Sequence, residues 1–353
     1  MDPVEWPIAA PAADRPVELA RRAGGDRLDT VRRDFFLSPD DRLSEQERAL
    51  MTAMLHGLVA NLADELRATL PVDAAEACEI EPEELIAELN RVHLLDRADL
   101  VGLLLRRADH DRIAGAMRAL HDPHRSPLLQ GLVADGDAAL AAAAMTLILA
   151  RGRRRDRFGQ SLLDFNDLPA ECAVAVVHSI AAVLRPLIDR DQADPMLARA
   201  TAGLLARHDE GLRFEALVAA LVRAVDEAGR LDDEWLAATA REGELDLLSA
   251  GLARRAGIAG EDSARHLETP GDGRLMLLVR MAGGSRTLAA RLLAELGELL
   301  GIGDPGAEIA QFDSIDDISA TRALAWLRLD PHYRSAIAAL GSSNGGADGQ
   351  RPV

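Results

Sequence analysis

No lysine occurs anywhere in the 353 residues, so all 40 basic residues are arginine. This absence removes whole reaction classes. A phosphate-binding P-loop needs its Lys, a protein kinase needs its strand Lys, and Schiff-base or pyridoxal-phosphate enzymes need a Lys amine. Positive charge is short altogether: 58 Asp and Glu leave a formal net charge of -18. That balance opposes a nucleic-acid or anionic-membrane binder, since both need a positive footprint. The two cysteines, Cys78 and Cys172, match neither a metal spacing nor a disulfide framework, and suit a reducing cytoplasm. Aromatics make up 3%. The residues from Met1 to Arg15 have neither a basic n-region nor an apolar h-region, so no secretory leader is expected. The longest apolar run, Ala138 to Ala150, is mostly Ala, contains Thr146 and is too short for a bilayer span, so no membrane insertion is expected. No Gly-x-Ser-x-Gly elbow anchors a serine hydrolase.

What is present is helix-forming. Apolar residues are 48% of the chain, and Ala and Leu together supply roughly a third of it; both are strong helix formers. Helix punctuation recurs throughout, with no sustained period-2 alternation, so the expected fold is all-α. Many short helices with short links favour irregular, stacked helix pairs, an α-solenoid of HEAT-like texture with one long N-terminal helix. That helix opens at the capping-box pattern Ser44 and Glu47 and runs to about Leu70, roughly 40 Å at the helical rise. Its Met51, Leu55, Leu58, Leu62 and Leu66 form one apolar stripe, the candidate surface for self-association as a homodimer. Asp99 to Arg107 and Arg112 to Leu120 read as two short helices. Ser126-Pro127 and Asp194-Pro195 each place a cap before a proline at a first helical position. The 169–188 segment is apolar around most of its circumference, as a buried helix is, and Pro186 stops it. The expected organisation is a mobile N-terminus (1–16), an N-terminal array (17–190), C-terminal repeats (191–340) and a disordered tail (341–353).

One stretch is distinctive. Ala141 to Met145 leads into Ala150-Arg-Gly-Arg-Arg-Arg-Asp-Arg-Phe-Gly159 and then Asp167-Leu-Pro-Ala-Glu171. Leu43 to Leu50 stands before it and Gly251 to Ile258 after it. Together these resemble a largely alphaproteobacterial family, domain of unknown function 2336, over roughly residues 40 to 340. The resemblance implies an intracellular protein of HEAT-like repeats. It brings no established activity and no catalytic residue.

The candidate partner-binding residues are Arg151, Arg153, Arg154, Arg155 and Arg157, the densest positive cluster in an acidic chain. Guanidinium forks bind phosphate and carboxylate bidentately, which points to an acidic or phosphorylated protein partner. The alternative is that they cap the preceding helix and pair with the chain's own acids. Asp109, His110 and Asp111 with His121, Asp122 and His124 gather possible metal ligands, but Asp122-Pro123 is simpler as turn chemistry, and no metal or cofactor is expected. Gly283-Gly284-Ser285 reads as a link and an N-cap, and Trp326 and Tyr333 as residues packing the terminal helices onto the array. The expected function is a non-enzymatic, cytoplasmic protein-interaction module serving as a signalling or regulatory scaffold. The alternatives are a small-molecule or phosphate-responsive regulator, or a phosphotransfer protein using His56. A deep pocket of converging Arg and His would favour the ligand reading over the scaffold.

Overall fold

The computed structural model describes residues 43–120, 128–268, 273–334, 336, 337 and 340. The segments 1–16 and 341–353, expected to be mobile and disordered, the Ser126-Pro127 cap, and His121, Asp122 and His124 lie outside the described residues. The chain divides into Met1–Arg48 and Ala49–Val353. In the first unit, the described residues 43–48 carry the capping box. Ser44 N donates to Glu47 Oε2 at 2.8 Å, and Glu47 N donates to Ser44 Oγ at 3.2 Å, opening α1 (Glu45–Ala68) as the Ser44/Glu47 spacing predicts.

The second unit continues α1 and consists, over its described residues, of helices joined by turns. In order come α2 (Val72–Ala77), α3 (Pro82–Arg91), α4 (Ala98–Leu120), α5 (Leu128–Val133), α6 (Ala138–Arg153), α7 (Ala170–Leu184) and α8 (Arg190–Leu205). There follow α9 (Phe214–Glu227), α10 (Asp233–Arg241), α11 (Leu245–Ala256), α12 (Gly260–Glu268), α13 (Arg274–Met281), α14 (Arg286–Leu296), α15 (Pro305–Ser314) and α16 (Asp317–Leu327). Among the described residues no strand occurs; one isolated bridge pairs Arg155 with Ser161.

Two apolar cores organise the helices. The first takes Leu58, Leu62 and Leu66 from α1, Leu89 from α3, Leu100 and Leu104 from α4, Val176 and Ile180 from α7, and Leu197 from α8. The second takes Ile113 and Met117 from α4, Leu140 and Leu147 from α6, Leu221 from α9, Leu248 from α11, Val279 from α13 and Leu292 from α14. Each such side chain contributes about 1.5 to 3 kcal/mol relative to leaving it in water. The division at 190 is therefore not where the apolar packing divides: residues 113–147 pack with the C-terminal helices, while α8 packs with α7 in the first core.

Other sequence expectations change for identifiable reasons. Leu58, Leu62 and Leu66 are almost fully buried in their own chain's core, so the centre of the proposed self-association stripe is closed to a second copy; Met51 and Leu55 are half-buried. The two short helices at 99–107 and 112–120 are one helix, α4, because its two ends enter different cores and both hold it. Asp194-Pro195 does not start a helix: α8 begins at Arg190 with Pro195 inside it, and the Asp194 carboxylate binds Arg185 Nη2 at 2.8 Å instead of its own helix. The same signature is a true start at α15, where Asp304 Oδ1 accepts from Ala307 N at 3.0 Å and Pro305 opens the first turn; neither this helix nor α2 was expected. Trp326 and Tyr333 are not packed away but 43% and 58% exposed. The 170–187 stretch is long and apolar enough to cross a bilayer, with a mean hydropathy of 1.5, unlike the shorter run at 138–150. In this fold its Cys172, Val176, Val177, Ile180 and Leu184 face the first core. Both cysteines are buried and unbridged, and burial pushes the Cys172 thiol up to about 11, which keeps it protonated and unreactive.

Candidate functional site

The arginine-rich stretch is built as a helix end followed by a tight turn. Residues 138–153 form α6, whose Asp137 cap accepts from Ala139 N and Leu140 N. Beyond Arg153 the chain folds back on itself: Leu162 N donates to Arg154 O at 2.8 Å and Asp156 N to Gln160 O at 2.9 Å. Asp156 organises the tip, its Oδ1 accepting from Phe158 N and Gln160 N, each at 2.8 Å. Gly159 takes the left-handed conformation, φ 81°, that closes the turn and that side-chain-bearing residues adopt at a cost. Asp at the start and Gly near the end are turn chemistry, so Arg-Asp-Arg-Phe-Gly is first of all a folding motif.

Its five arginines separate into two groups. Arg151 forms a bidentate pair with Glu244, Nη1 to Oε1 at 2.7 Å. Arg154 reaches the fully buried Asp167, Nε to Oδ2 at 2.8 Å and Nη2 to Oδ1 at 2.6 Å, and also bonds the carbonyls of Ala150 and Leu212. Asp167 in turn accepts from Phe214 N at 2.9 Å, fixing the start of α9. Breaking so saturated a buried pair costs about 3 to 5 kcal/mol, because one charge is left without a partner. Arg155 bonds Asp111 Oδ1 at 3.1 Å and Gly159 O at 2.7 Å. These three arginines thus take the internal alternative. Arg153 and Arg157 are exposed, with the Arg157 guanidinium 4.7 Å from the Phe158 ring centroid and Phe158 itself 73% exposed.

The inward-facing arginines wall a cavity of about 610 Å³ between α4, α5, α6, the hairpin turn, the start of α9 and the α10–α11 turn. From α4 come Arg107, His110, Asp111, Ala114 and Met117, spaced so that they share one helical face. From the α10–α11 turn come Gly243, Glu244 and Asp246. Gly243, at φ 69°, lets that turn approach α4 closely: a Cβ there would stand 2.9 Å from Met117 Cβ and 3.1 Å from Ala114 Cα. Phe214, nearly buried, is a platform for three guanidiniums. Arg107, Arg154 and Arg151 lie 4.4, 5.5 and 5.7 Å from its ring centroid, within cation–π range.

The charges around Asp246 are paired. Arg107 Nη2 donates to Glu215 Oε1 at 2.8 Å and its Nη1 reaches Asp246 Oδ1 at 3.5 Å, where His110 Nδ1 stands 3.0 Å away. Burial alone would push the Asp246 carboxyl up. His110, Arg107 and Arg151 outweigh it and hold Asp246 well below the usual carboxylate range. Asp246 is therefore a fixed anion, unsuited to giving up a proton as a general acid.

Residues 86–325 match the model of DUF2336, described as an uncharacterised protein conserved in bacteria. The chain belongs to this family. No curated protein and no solved structure matches it. The match covers every cavity residue except Met54, the one contribution from α1.

Of the sequence-predicted residues of this DUF2336 chain, Arg151, Arg154 and Arg155 meet at the cavity, Arg153 lines a smaller neighbouring hollow of about 300 Å³ beside Asn61 and Asp164, and Arg157 lines neither. His56 is half-buried on α1. Of the suggested metal grouping, His110 faces Asp246 while Asp111 holds the hairpin, and no His, Cys, Asp or Glu group suited to a metal occurs among the described residues. At the Gly283-Gly284-Ser285 link, Ser285 N donates to Asp233 Oδ2 at 2.9 Å, while Ser285 Oγ caps α14 as expected. Sequence reasoning missed Arg107, Phe214, Glu244 and Asp246 as site residues. The i, i+3, i+4 spacing of Arg107, His110 and Asp111 was available once α4 is taken as a single helix.

Proposed function

We propose that this chain is a non-enzymatic regulatory protein that binds a small molecule in the cavity behind the arginine turn. The cavity carries the reading. Its volume, about 610 Å³, falls in the roughly 300 to 1,000 Å³ range of small-molecule sites, and such sites combine an apolar wall with a few convergent polar groups. Here Met117, Leu129 and Ile148 supply the first, and Arg107, His110, Arg151 and Arg155 the second. Converging Arg and His in one pocket is the feature that favours a ligand-responsive protein over a pure scaffold. The non-enzymatic part of the reading is supported by Asp111, Glu244 and Asp246, each paired with a guanidinium instead of standing free as an acid or base.

A thermal-shift screen of the full chain against a library of small metabolites tests this. Gln130 is exposed yet lines the cavity, so Gln130→Trp narrows it with little cost to the core. At least one compound is expected to raise the melting temperature of the wild type and not of Gln130→Trp. No stabilising compound, or equal stabilisation of both proteins, removes the reading.

A protein-interaction module is the second reading, in a HEAT-like array at a cytoplasmic location. It is favoured by Trp326 and Tyr333, exposed in a chain with 3% aromatics, and by packing between sequence neighbours such as α5 with α6, α10 with α11 and α11 with α12, beside longer-range pairs such as α6 with α9 and α10 with α14. Exposed Arg153 and Arg157 suit an acidic or phosphorylated partner segment.

A further inference from the structure

The class of ligand follows from the balance of donors and acceptors on the cavity walls, and rests on reading the cavity as a ligand site. The wall carboxylates are met from inside the chain: Glu244 by Arg151, Asp246 by Arg107 and His110, Asp111 by Arg155 and Ser161, and Glu242 by the Leu128 N–H. The guanidiniums are less completely met. Arg118, exposed on the same wall, bonds the Ala114 carbonyl of its own helix through Nε at 3.1 Å. Arg155 touches Asp111 through Nη2 alone, at 3.1 Å, and its side chain is 36% exposed, the most accessible of the paired arginines in the cavity. A wall with donors in surplus is complemented by a ligand rich in acceptors, and most strongly by an anion. The apolar wall asks in addition for a body that leaves water.

Asp111 gives such a ligand a consequence. Its two oxygens hold the hairpin from both sides, Oδ1 accepting from Arg155 and Oδ2 from Ser161 Oγ, so α4 and the hairpin are joined through one carboxylate. An anion that engages Arg155 competes with Asp111 for it. We infer that the cavity takes a small amphiphilic anion, a carboxylate or phosphomonoester on an apolar body, whose head displaces Asp111 from Arg155 and loosens the 154–162 hairpin from α4. The exposed Arg157 and Phe158 at the hairpin tip then report cavity occupancy on the protein surface. Only as much population shifts as the ligand's preference for the loosened state allows.

Calorimetry on the full chain with benzoate, phenyl phosphate, inorganic phosphate and benzylamine separates the components, and trypsin cleavage of the Arg157–Phe158 bond, followed by mass spectrometry, reads the hairpin. Benzoate or phenyl phosphate is expected to bind at least tenfold more tightly than benzylamine and inorganic phosphate, and to speed that cleavage. Arg155→Gln is expected to weaken anion binding at least tenfold. Asp111→Asn is expected to strengthen it and to speed cleavage without ligand, a pair of opposite signs that misfolding does not produce. Arg199→Gln, exposed and outside the cavity, leaves binding unchanged. Equal binding of ring anion and ring amine, inorganic phosphate binding as tightly as phenyl phosphate, weaker binding by Asp111→Asn, or cleavage unaffected by bound anion overturns the inference. If the metabolite screen finds ligands that are all neutral or cationic, this inference falls and the cavity reading stands; if it finds none, both fall.

Discussion

Asp246 shows how one residue of this cavity is held in a single state. It stands among His110, Arg107 and Arg151 with a lowered pKa, so its ionised form stabilises the fold. The sign is fixed by linkage: a depressed folded pKa contributes stability that is complete above the ordinary Asp value, near ~3.9, and is lost as pH falls toward and through the folded value. Urea unfolding of wild type and Asp246→Asn should therefore show the largest stability gap at pH 6, narrowing as pH is lowered to 3. A gap that is constant over this range contradicts the pairing. Nothing near Asp246 in the sequence announces this role. Its partners lie on α4 and at the end of α6, with Arg107 139 residues earlier, and only the fold brings two guanidiniums and an imidazole to one carboxylate. Arg151 and Arg154, by contrast, stood out in the sequence as residues needing anions. What sequence left open was which anions, and Glu244 and Asp167 could not be chosen from the many acids of a chain with 58 of them.

At the scale of elements, helix ends were the most legible features and helix continuity the least. The Ser44 box and the Ser285 cap follow from local chemistry and appear as expected, because a cap is satisfied within three residues. Asp194-Pro195 has the same local signature and is not a cap, since a long-range competitor, Arg185, takes the carboxylate. Continuity of α4 is likewise decided at a distance. The polar run Arg106 to Arg112 suggests a break, but Leu100 and Leu104 in one core and Ile113 and Met117 in the other clamp both ends. Asp109→Pro separates the two possibilities. In an unbroken α4 it should cost about 3 kcal/mol or more, through a lost backbone bond and a ring clash, read as a lower midpoint in urea. A link between two helices would accept proline there with little change. The same continuity puts Arg107, His110 and Asp111 on one wall, so the cavity depends on a helix that sequence reading cut in two.

For the whole molecule, an all-helical fold was legible from composition and punctuation, while the partition of its packing was not. Two cores share α4, and the second joins residues 113–147 to the C-terminal helices; such long-range pairing leaves no periodic signature in the chain. The cavity arises at this junction, where α4, α6 and α9 meet the Gly243 turn, and its function as a ligand site is the central claim. Native mass spectrometry of the full chain, purified from its own cells beside Gln130→Trp, tests that claim most directly. A small-molecule adduct on the wild type, absent from Gln130→Trp and released on unfolding, is the predicted result; the same bare mass for both proteins, under conditions that retain micromolar ligands, would contradict it.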